Sequence, residues 1–288
     1  MRLTKMHGLG NDYLYIDTHR EALEGVDLAW LARVLSDRNF GVGGDGIILI
    51  MPSERADFRM RMFNADGSES EMCGNGMRCF ARYVYDHGLT RKTELVVETG
   101  AGPIRPALTV EDGRVVSVTV DMGCPAPARK SIPMVGSPED ESVVSHPLVA
   151  DGYEFRVTCV SMGNPHCVIF VEDVQSAPVR TAGPLIERHE AFPARTNVEF
   201  VKVLSPQLIQ MRVWERGSGE TLACGTGASA SLVAAVLNGL TGRSCTVRLL
   251  GGDLQVEWRA DDHVSLTGPA VEVFTAEVDP WAIEAGRS

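Results

Sequence analysis

Apolar positions recur along this chain at two periods, and the period switches many times. Leu28, Leu31, Val34 and Leu35 fall on one face of a helix predicted over 28–39. Ile47 to Ile50 form a short unbroken apolar run, the pattern of a buried strand. Over 57–64, Phe58, Met60 and Met62 alternate with Arg59 and Arg61, which predicts a half-buried strand. Asn64-Ala65-Asp66-Gly67-Ser68 is turn chemistry. A helix follows from about Gly74 and stops near Gly88, with further strands at 94–98 and 115–121. The second half repeats this order. Strands at 154–160 and 167–171 precede a helix over 184–189. Strands at 197–203 and 208–215 lead to a helix from Gly225 to about Leu237, and strands at 246–250, 254–258 and 264–266 close the chain. Pro125, Pro127, Pro133 and Pro138 mark 123–138 as an extended connection and the best single domain boundary.

The repetition is also literal. Cys73-Gly74-Asn75-Gly76 opens the first long helix and Cys224-Gly225-Thr226-Gly227 opens the second. A shift of 151 positions, which is 224 less 73, also places Arg61-Met62-Phe63-Asn64 on Arg212-Val213-Trp214-Glu215 and Glu69 on Glu220. Such an echo implies two copies of one structural unit. A shorter echo sets Gly10-Asn11 beside Gly163-Asn164.

Composition narrows the function classes. The 288 residues suffice for two domains, and 44% hydrophobic content supports a packed core. The net charge of −11 without a basic block argues against a nucleic-acid partner. The first residues lack the apolar stretch of a signal peptide, and no apolar run approaches bilayer length, so a cytoplasmic protein with no membrane partner is expected. Seven irregularly placed cysteines in a chain of this size argue for reduced thiols.

A helix N-terminus favours negative charge, so Cys73 and Cys224 are expected to ionise more readily than an ordinary thiol. The flanking glycines let the backbone approach a ligand, and the unpaired N–H groups can hold a carboxylate. Two such helix starts meeting at one cleft would suit proton transfer at a carbon next to a carboxylate. One thiolate removes the proton from one face and the opposite thiol returns one to the other, with no metal and no other cofactor. Cys79, Cys124, Cys159, Cys167 and Cys245 lack this context and read as core or surface residues.

At Asn64-Ala65-Asp66-Gly67-Ser68 and Cys73-Gly74-Asn75-Gly76-Met77-Arg78 the chain closely resembles the diaminopimelate epimerase family. The resemblance runs through residues 5–12, 161–167, 215–217 and 219–227 as well. It implies an α/β (α+β) fold of two pseudo-symmetric halves. Each would be a curved, mostly antiparallel sheet wrapped around a central helix, with the active site in the cleft between them. The halves would comprise residues 1–125 plus about 268–288, and 126–267. The implied reaction is cofactor-free interconversion of LL- and meso-diaminopimelate in lysine and cell-wall biosynthesis. The implied catalytic pair is Cys73 and Cys224, assisted by His166 and Glu215. Substrate contacts would come from Asn11, Asn64, Gly74, Asn75, Asn164, Asn197, Glu215, Arg216, Gly225 and Thr226. The family also implies a homodimer. This chain departs from some relatives at Gly46, where they carry Gln, and at Phe274, where they carry Tyr.

Gly41-Val42-Gly43-Gly44-Asp45-Gly46 fits the dinucleotide pattern, but it follows a helix and precedes a strand, the reverse of a phosphate loop. The chain has no Cys-x-x-Cys pair for zinc or redox chemistry. Two other functions compete. A proline or hydroxyproline racemase would share the two-thiol logic, but Asn75 and Glu215-Arg216 favour the epimerase. A non-catalytic amino-acid binder or thiol sensor would leave one cysteine dispensable.

Overall fold

The computed structural model describes residues 1–286, which form two compact units. The first is Met1–Val120 together with the chain from Gly268 on, and the second is Asp121–Thr267.

In chain order the first unit holds β1 (Arg2–Gly8), β2 (Asn11–Asp17), α1 (Leu28–Ser36), β3 (Gly46–Met51), β4 (Phe58–Asn64), β5 (Glu69–Ser70) and α2 (Gly74–Asp86). Then come β6 (Val97–Thr99), β7 (Gly102–Ile104), β8 (Ala107–Glu111) and β9 (Arg114–Asp121). The second unit holds β10 (His146–Ala150), β11 (Tyr153–Ser161), β12 (Pro165–Phe170), α3 (Val179–Glu187), β13 (Asn197–Ser205), β14 (Leu208–Glu215) and β15 (Gly219–Thr221). After α4 (Gly225–Leu237) it continues with β16 (Ser244–Leu249), β17 (Gly252–Trp258) and β18 (Val264–Gly268). The chain then returns to the first unit with β19 (Val271–Glu277) and α5 (Pro280–Ala285).

The two units share one internal plan. In the first, strands lie in the order β19-β1-β2-β3-β4-β6-β7; in the second, the order β10-β11-β12-β13-β14-β16-β17 repeats it. Senses match too: β2–β3 and β12–β13 are parallel, as are β4–β6 and β14–β16, and the intervening pairs are antiparallel. The parallel pair β2–β3 requires a crossover, and α1 supplies it as α3 does for β12–β13. Each sheet carries one helix on either face. In the first unit Leu14, Ile16, Ile47 and Leu49 pack with Leu31 and Leu35 of α1. In the second Cys167, Ile169, Val198 and Phe200 pack with Ile186 of α3. The central helices α2 and α4 cover the opposite faces. Helix α4 touches β11 through β14, β16 and β17, so the sheet must bend around it. Its Ala228, Ala230, Leu232, Val233 and Ala234 are all fully buried, as expected of a helix apolar on every side.

A repeated ion pair pins the hairpin that precedes each central helix. Arg61 Nε donates to Glu69 at 2.7 Å across β4–β5, and Arg212 Nε donates to Glu220 at 2.8 Å across β14–β15.

Several elements differ from the sequence expectation. Helix α1 ends at Ser36 because Asp37 leaves the helical region and its Oδ1 accepts from Asn39 and Phe40 N–H. Helix α3 starts five residues earlier than expected. Val179, Ala182, Gly183 and Ile186 give the buried face, and Pro184 sits inside the helix rather than at its start. The strand expected over 94–98 shrinks to β6, with Glu94 making only an isolated bridge. The 123–138 connection contains a 3-10 turn, Arg129–Ser131. Apolar periodicity ended at 266, yet β19 and α5 follow. Strand β19 buries no residue fully and only half-buries Glu272 and Ala276, so it shows no clear buried face to find.

Candidate active site

Cys73 and Cys224 are the N-cap residues of α2 and α4. Their backbones match, with φ −138° and ψ 121° at Cys73 and φ −127° and ψ 112° at Cys224. In each case the sulfur takes the place of a capping oxygen. Gly76 N–H points at Cys73 Sγ from 3.5 Å, and Gly227 N–H points at Cys224 Sγ from 3.4 Å. Side chains reach up closely beneath both glycines. A Cβ on Gly76 would meet Ile48 Cδ1 at 2.7 Å, and one on Gly227 would meet Glu199 Oε1 at 2.9 Å. Ile48 and Glu199 are themselves related by the shift of 151, so the same strand position lies beneath both helix starts.

Around Cys73 the first unit gathers Asn11 and the first turn of α2, Gly74 and Asn75. Cys73 Sγ donates to Asn11 Oδ1 at 3.5 Å, and Asn11 Nδ2 donates to Asp45 Oδ2 at 2.7 Å. Asp45 also accepts from Arg38, which bridges to Asp12, itself paired with Lys5. Burial of Asp12 raises its carboxyl, but Arg38 and Lys5 outweigh it and hold the group below the usual range. Tyr13 hydrogen-bonds Asn11 and Cys73; burial pushes its phenol far up, so it remains a donor. Asn64 ends β4 opposite Gly46, and its Nδ2 donates to Ser68 Oγ at 3.0 Å. Gly46 itself sits where a Cβ would lie 2.1 Å from Phe63 O, so glycine is required by this backbone.

Around Cys224 the second unit gathers Asn164, His166, Asn197, Glu215, Arg216, Gly225 and Thr226. Asn197 Nδ2 donates to Pro165 O at 2.8 Å, and its Oδ1 accepts from Arg216 N at 2.9 Å. Arg216 is exposed, with Nη1 donating to Ala194 O at 3.1 Å. Thr226 Oγ1 lies 3.5 Å from Cys224 Sγ and 3.4 Å from Asn164 Nδ2. Asn164 Oδ1 lies 3.0 Å from His166 Nε2, and His166 Nδ1 lies 2.7 Å from Glu199 Oε1, with both of those side chains fully buried. Glu215 accepts from Thr221 Oγ1 and hydrogen-bonds Cys224. Burial raises its carboxyl above the ordinary value.

One expectation is corrected. At Cys224 the helix N-terminus is outweighed. Burial, first, and the Glu215 and Glu199 carboxylates push it well above the ordinary value, against Thr226 and the Gly227 N–H. Two residues at these sites were not foreseen. Tyr13 faces Cys73 from the strand position that His166 holds in the second unit, since Tyr13 pairs Gly46 as His166 pairs Asn197. Glu199 showed only as one charge inside the apolar run Val198–Val201.

Solved structures of low sequence similarity share this architecture. A hydroxyproline epimerase from Agrobacterium vitis matches with a TM-score of 0.69 at 19% identity, over 98% of this chain and 94% of that one. A probable proline racemase from Agrobacterium radiobacter matches with a TM-score of 0.68 at 17% identity, over 96% and 92%. The chain therefore has the pseudo-symmetric two-unit fold found in racemases and epimerases. Sequence resolves the class further. The family model of diaminopimelate epimerase matches residues 3–126 and 158–273. A diaminopimelate epimerase of Moorella thermoacetica is 57% identical over 278 residues, covering 96% of this chain and 99% of the relative. One from Methanococcus maripaludis is 51% identical over 280 residues, covering 97% and 100%. The chain belongs to the diaminopimelate epimerase family and is an isomerase.

Proposed function

We propose that this chain interconverts LL- and meso-diaminopimelate by passing the α-proton between two thiols. The observation that carries this reading is the pair of N-cap cysteines, alike in backbone and in their place in each unit. In the reaction the thiolate of one cysteine takes the α-proton, and the C–H electron pair moves toward the neighbouring carboxylate. The thiol of the other then donates its proton to the opposite face of the carbon. One S–H bond forms as the other breaks, so the pair keeps one proton and configuration inverts. No cofactor is needed to balance these steps. The helix-start N–H groups at Gly74–Asn75 and Gly225–Thr226 would hold the reacting carboxylate, where negative charge grows. His166 and Glu215 would tune the acidity of the thiols. Arg216 would take the distal carboxylate by its fork, with Asn11, Asn64, Asn164 and Asn197 completing the amino-acid contacts.

This role belongs to lysine and peptidoglycan-precursor synthesis, carried out in the cytoplasm. The net charge of −11 without a basic block argues against a nucleic-acid partner. A homodimer would form along β19, an edge strand that exposes Val271, Val273 and Phe274 by 38%, 51% and 40%. The test of function is to incubate the reduced protein with LL-diaminopimelate in deuterated water. Meso product carrying deuterium at one α-carbon is expected. Full retention of LL configuration without deuteration would exclude the reading.

A further inference from the structure

The two thiols have matching backbones but opposite electrostatic surroundings. Four positions related by the internal repeat make the comparison. In the first unit these are Tyr13, Ile48, Asn64 and Arg78; the corresponding positions of the second unit hold His166, Glu199, Glu215 and Ser229. The first set contains one cation and no carboxylate. The second contains two carboxylates and one imidazole.

Arg78 lies on α2 one turn beyond Cys73 and is fully buried. Its Nε donates to Pro269 O at 3.2 Å, while Nη1 and Nη2 have no hydrogen-bond partner. The guanidinium is wedged beneath Gly8 and Asn75, since a Cβ on Gly8 would lie 2.8 Å from Nη2 and 3.3 Å from Asn75 O. A buried cation with unmatched N–H groups favours any nearby acid that can ionise. Three acids face it: Cys79, Cys73 and Tyr15. Burial pushes the Cys79 thiol up to about 11 and the Tyr15 phenol far above its ordinary value, so both are neutral near pH 7. Unlike Cys79, Cys73 is only half-buried and sits at the helix start, where charge costs least. Gly76 N–H and the Tyr13 hydroxyl are both aimed at its sulfur as donors. Opposing this are Asn11 Oδ1 and, behind it, Asp45, whose charge is met by Arg38.

Cys224 is 5% exposed and faces the opposite field. Glu199 presents Oε1 beneath Gly227 on the side where Cys224 Sγ also lies, and its Oε2 has no hydrogen-bond partner. Glu215 approaches from the end of β14, and Cys167 and Cys159 are buried on β12 and β11, with burial pushing the Cys167 thiol well up. His166 is the one basic group present, and Glu199 holds it.

We propose that Arg78 and Glu199 are positioning residues that decide where the proton sits: the resting enzyme holds Cys73 as the thiolate and Cys224 as the thiol. For the epimer whose α-proton faces Cys73, Cys73 then accepts that proton and Cys224 donates its own; the reverse direction needs the opposite ionisation of the pair. That use in turnover rests on the proposed function, but the order of ionisation does not.

The experiment is residue-resolved alkylation of the substrate-free enzyme by iodoacetamide between pH 5 and 10. The modified peptides are quantified by mass spectrometry, and the pH midpoint for each cysteine is read. The midpoint reports ionisation, whereas burial alone changes only the limiting rate. In the wild-type protein Cys73 should have the lower midpoint by at least about one pH unit, a tenfold difference in thiolate fraction. Glu199→Gln keeps an acceptor for His166 and removes the charge. It should lower the Cys224 midpoint by about one unit and leave that of Cys73 unmoved. Arg78→Met should raise the Cys73 midpoint, and Arg78→Lys should restore part of the shift. If Arg78→Met fails to fold, the wild-type order and Glu199→Gln still decide. A Cys224 midpoint at or below that of Cys73, or one unmoved by Glu199→Gln, would overturn the proposal. Alkylation in the expected order without deuteration of diaminopimelate would sink the proposed function and leave this inference standing.

Discussion

Arg216 directs one guanidinium nitrogen to the Ala194 carbonyl and keeps its exposed side chain at the end of β14. A carboxylate held by a fork gains about 1.5–3 kcal/mol per charged hydrogen bond, so Arg216→Ala should lower kcat/KM by roughly 10- to 100-fold per bond lost. KM should rise and kcat should fall together, because remote binding also orients the reacting carbon. Arg216→Lys, a point charge, should rescue only part of this loss. Lysine, which lacks the distal carboxylate, should be a very poor substrate. Steady-state kinetics on both amino acids checks these outcomes, and near-normal turnover in Arg216→Ala would remove the residue from the site. At the thiols, Cys73→Ala and Cys224→Ala should each lose more than the ~10² to 10⁴ of a lone acid–base group, since neither face has a substitute. Epimerisation assays of the two variants measure it.

Secondary-structure elements set two further expectations. Strand β3 passes so close to β4 at Gly46 that a Cβ would lie 2.1 Å from the Phe63 carbonyl oxygen. Backbone cannot step aside as a side chain can. Gly46→Ala should therefore destabilise the protein by about 1–3 kcal/mol through overpacking, read as a fall in thermal midpoint. Placing Gln there, as some relatives do, should cost as much unless β4 shifts with it. On the β14–β15 hairpin, burial raises the Glu220 carboxyl, but Arg180 and Arg212 outweigh it and hold the group below its ordinary 4.5. A carboxyl depressed in the folded state contributes stability that is full above the unfolded value. That contribution is lost as pH falls from about 4.5 through the folded value. Glu220→Gln should thus lower stability at pH 7 and flatten its decline below pH 5, measured by urea unfolding at several pH values.

The whole chain leaves its first unit once and returns once. Its N-terminal amine donates to Val278 O at 2.6 Å, so the first strand and the returning segment lie in one unit. The returning segment supplies β19 beside β1, the Pro269 carbonyl for Arg78 and the Ala270 carbonyl for Arg82. Strand β19 therefore ties the second crossing to the helix that carries Cys73. The same strand is the exposed edge proposed for dimer contact. Phe274→Asp should shift sedimentation toward the monomer at micromolar concentration, because a charge on an apolar edge opposes pairing with a copy of itself. A dimer undisturbed by that change would place the contact elsewhere.

The residues alone fix the repeat, the two thiol helices and the family. These features are local: a Gly-rich turn, a helix-length apolar run and a fixed spacing are all written in neighbouring positions. Arg61 and Glu69 match Arg212 and Glu220 under the same shift, though that each couple pairs across a hairpin is seen only in the fold. Other features depend on positions far apart in sequence. Nothing local shows that Glu199 lies beneath Gly227, 28 residues later by the difference of their numbers, or that Ile48 fills the same place under Gly76. Helix-terminus chemistry alone predicted easier ionisation at both cysteines. Folding reversed this at Cys224, because the fold buries the thiol between two carboxylates. Strand β19 escaped periodicity because its one half-buried face holds Glu272 and Ala276 around an exposed Phe274, which is no apolar stripe. The sequence determined which groups the protein would use, since identity and spacing are covalent. Only the tertiary structure decided how those groups differ, because burial and the charges that converge on a thiol are properties of packed neighbours.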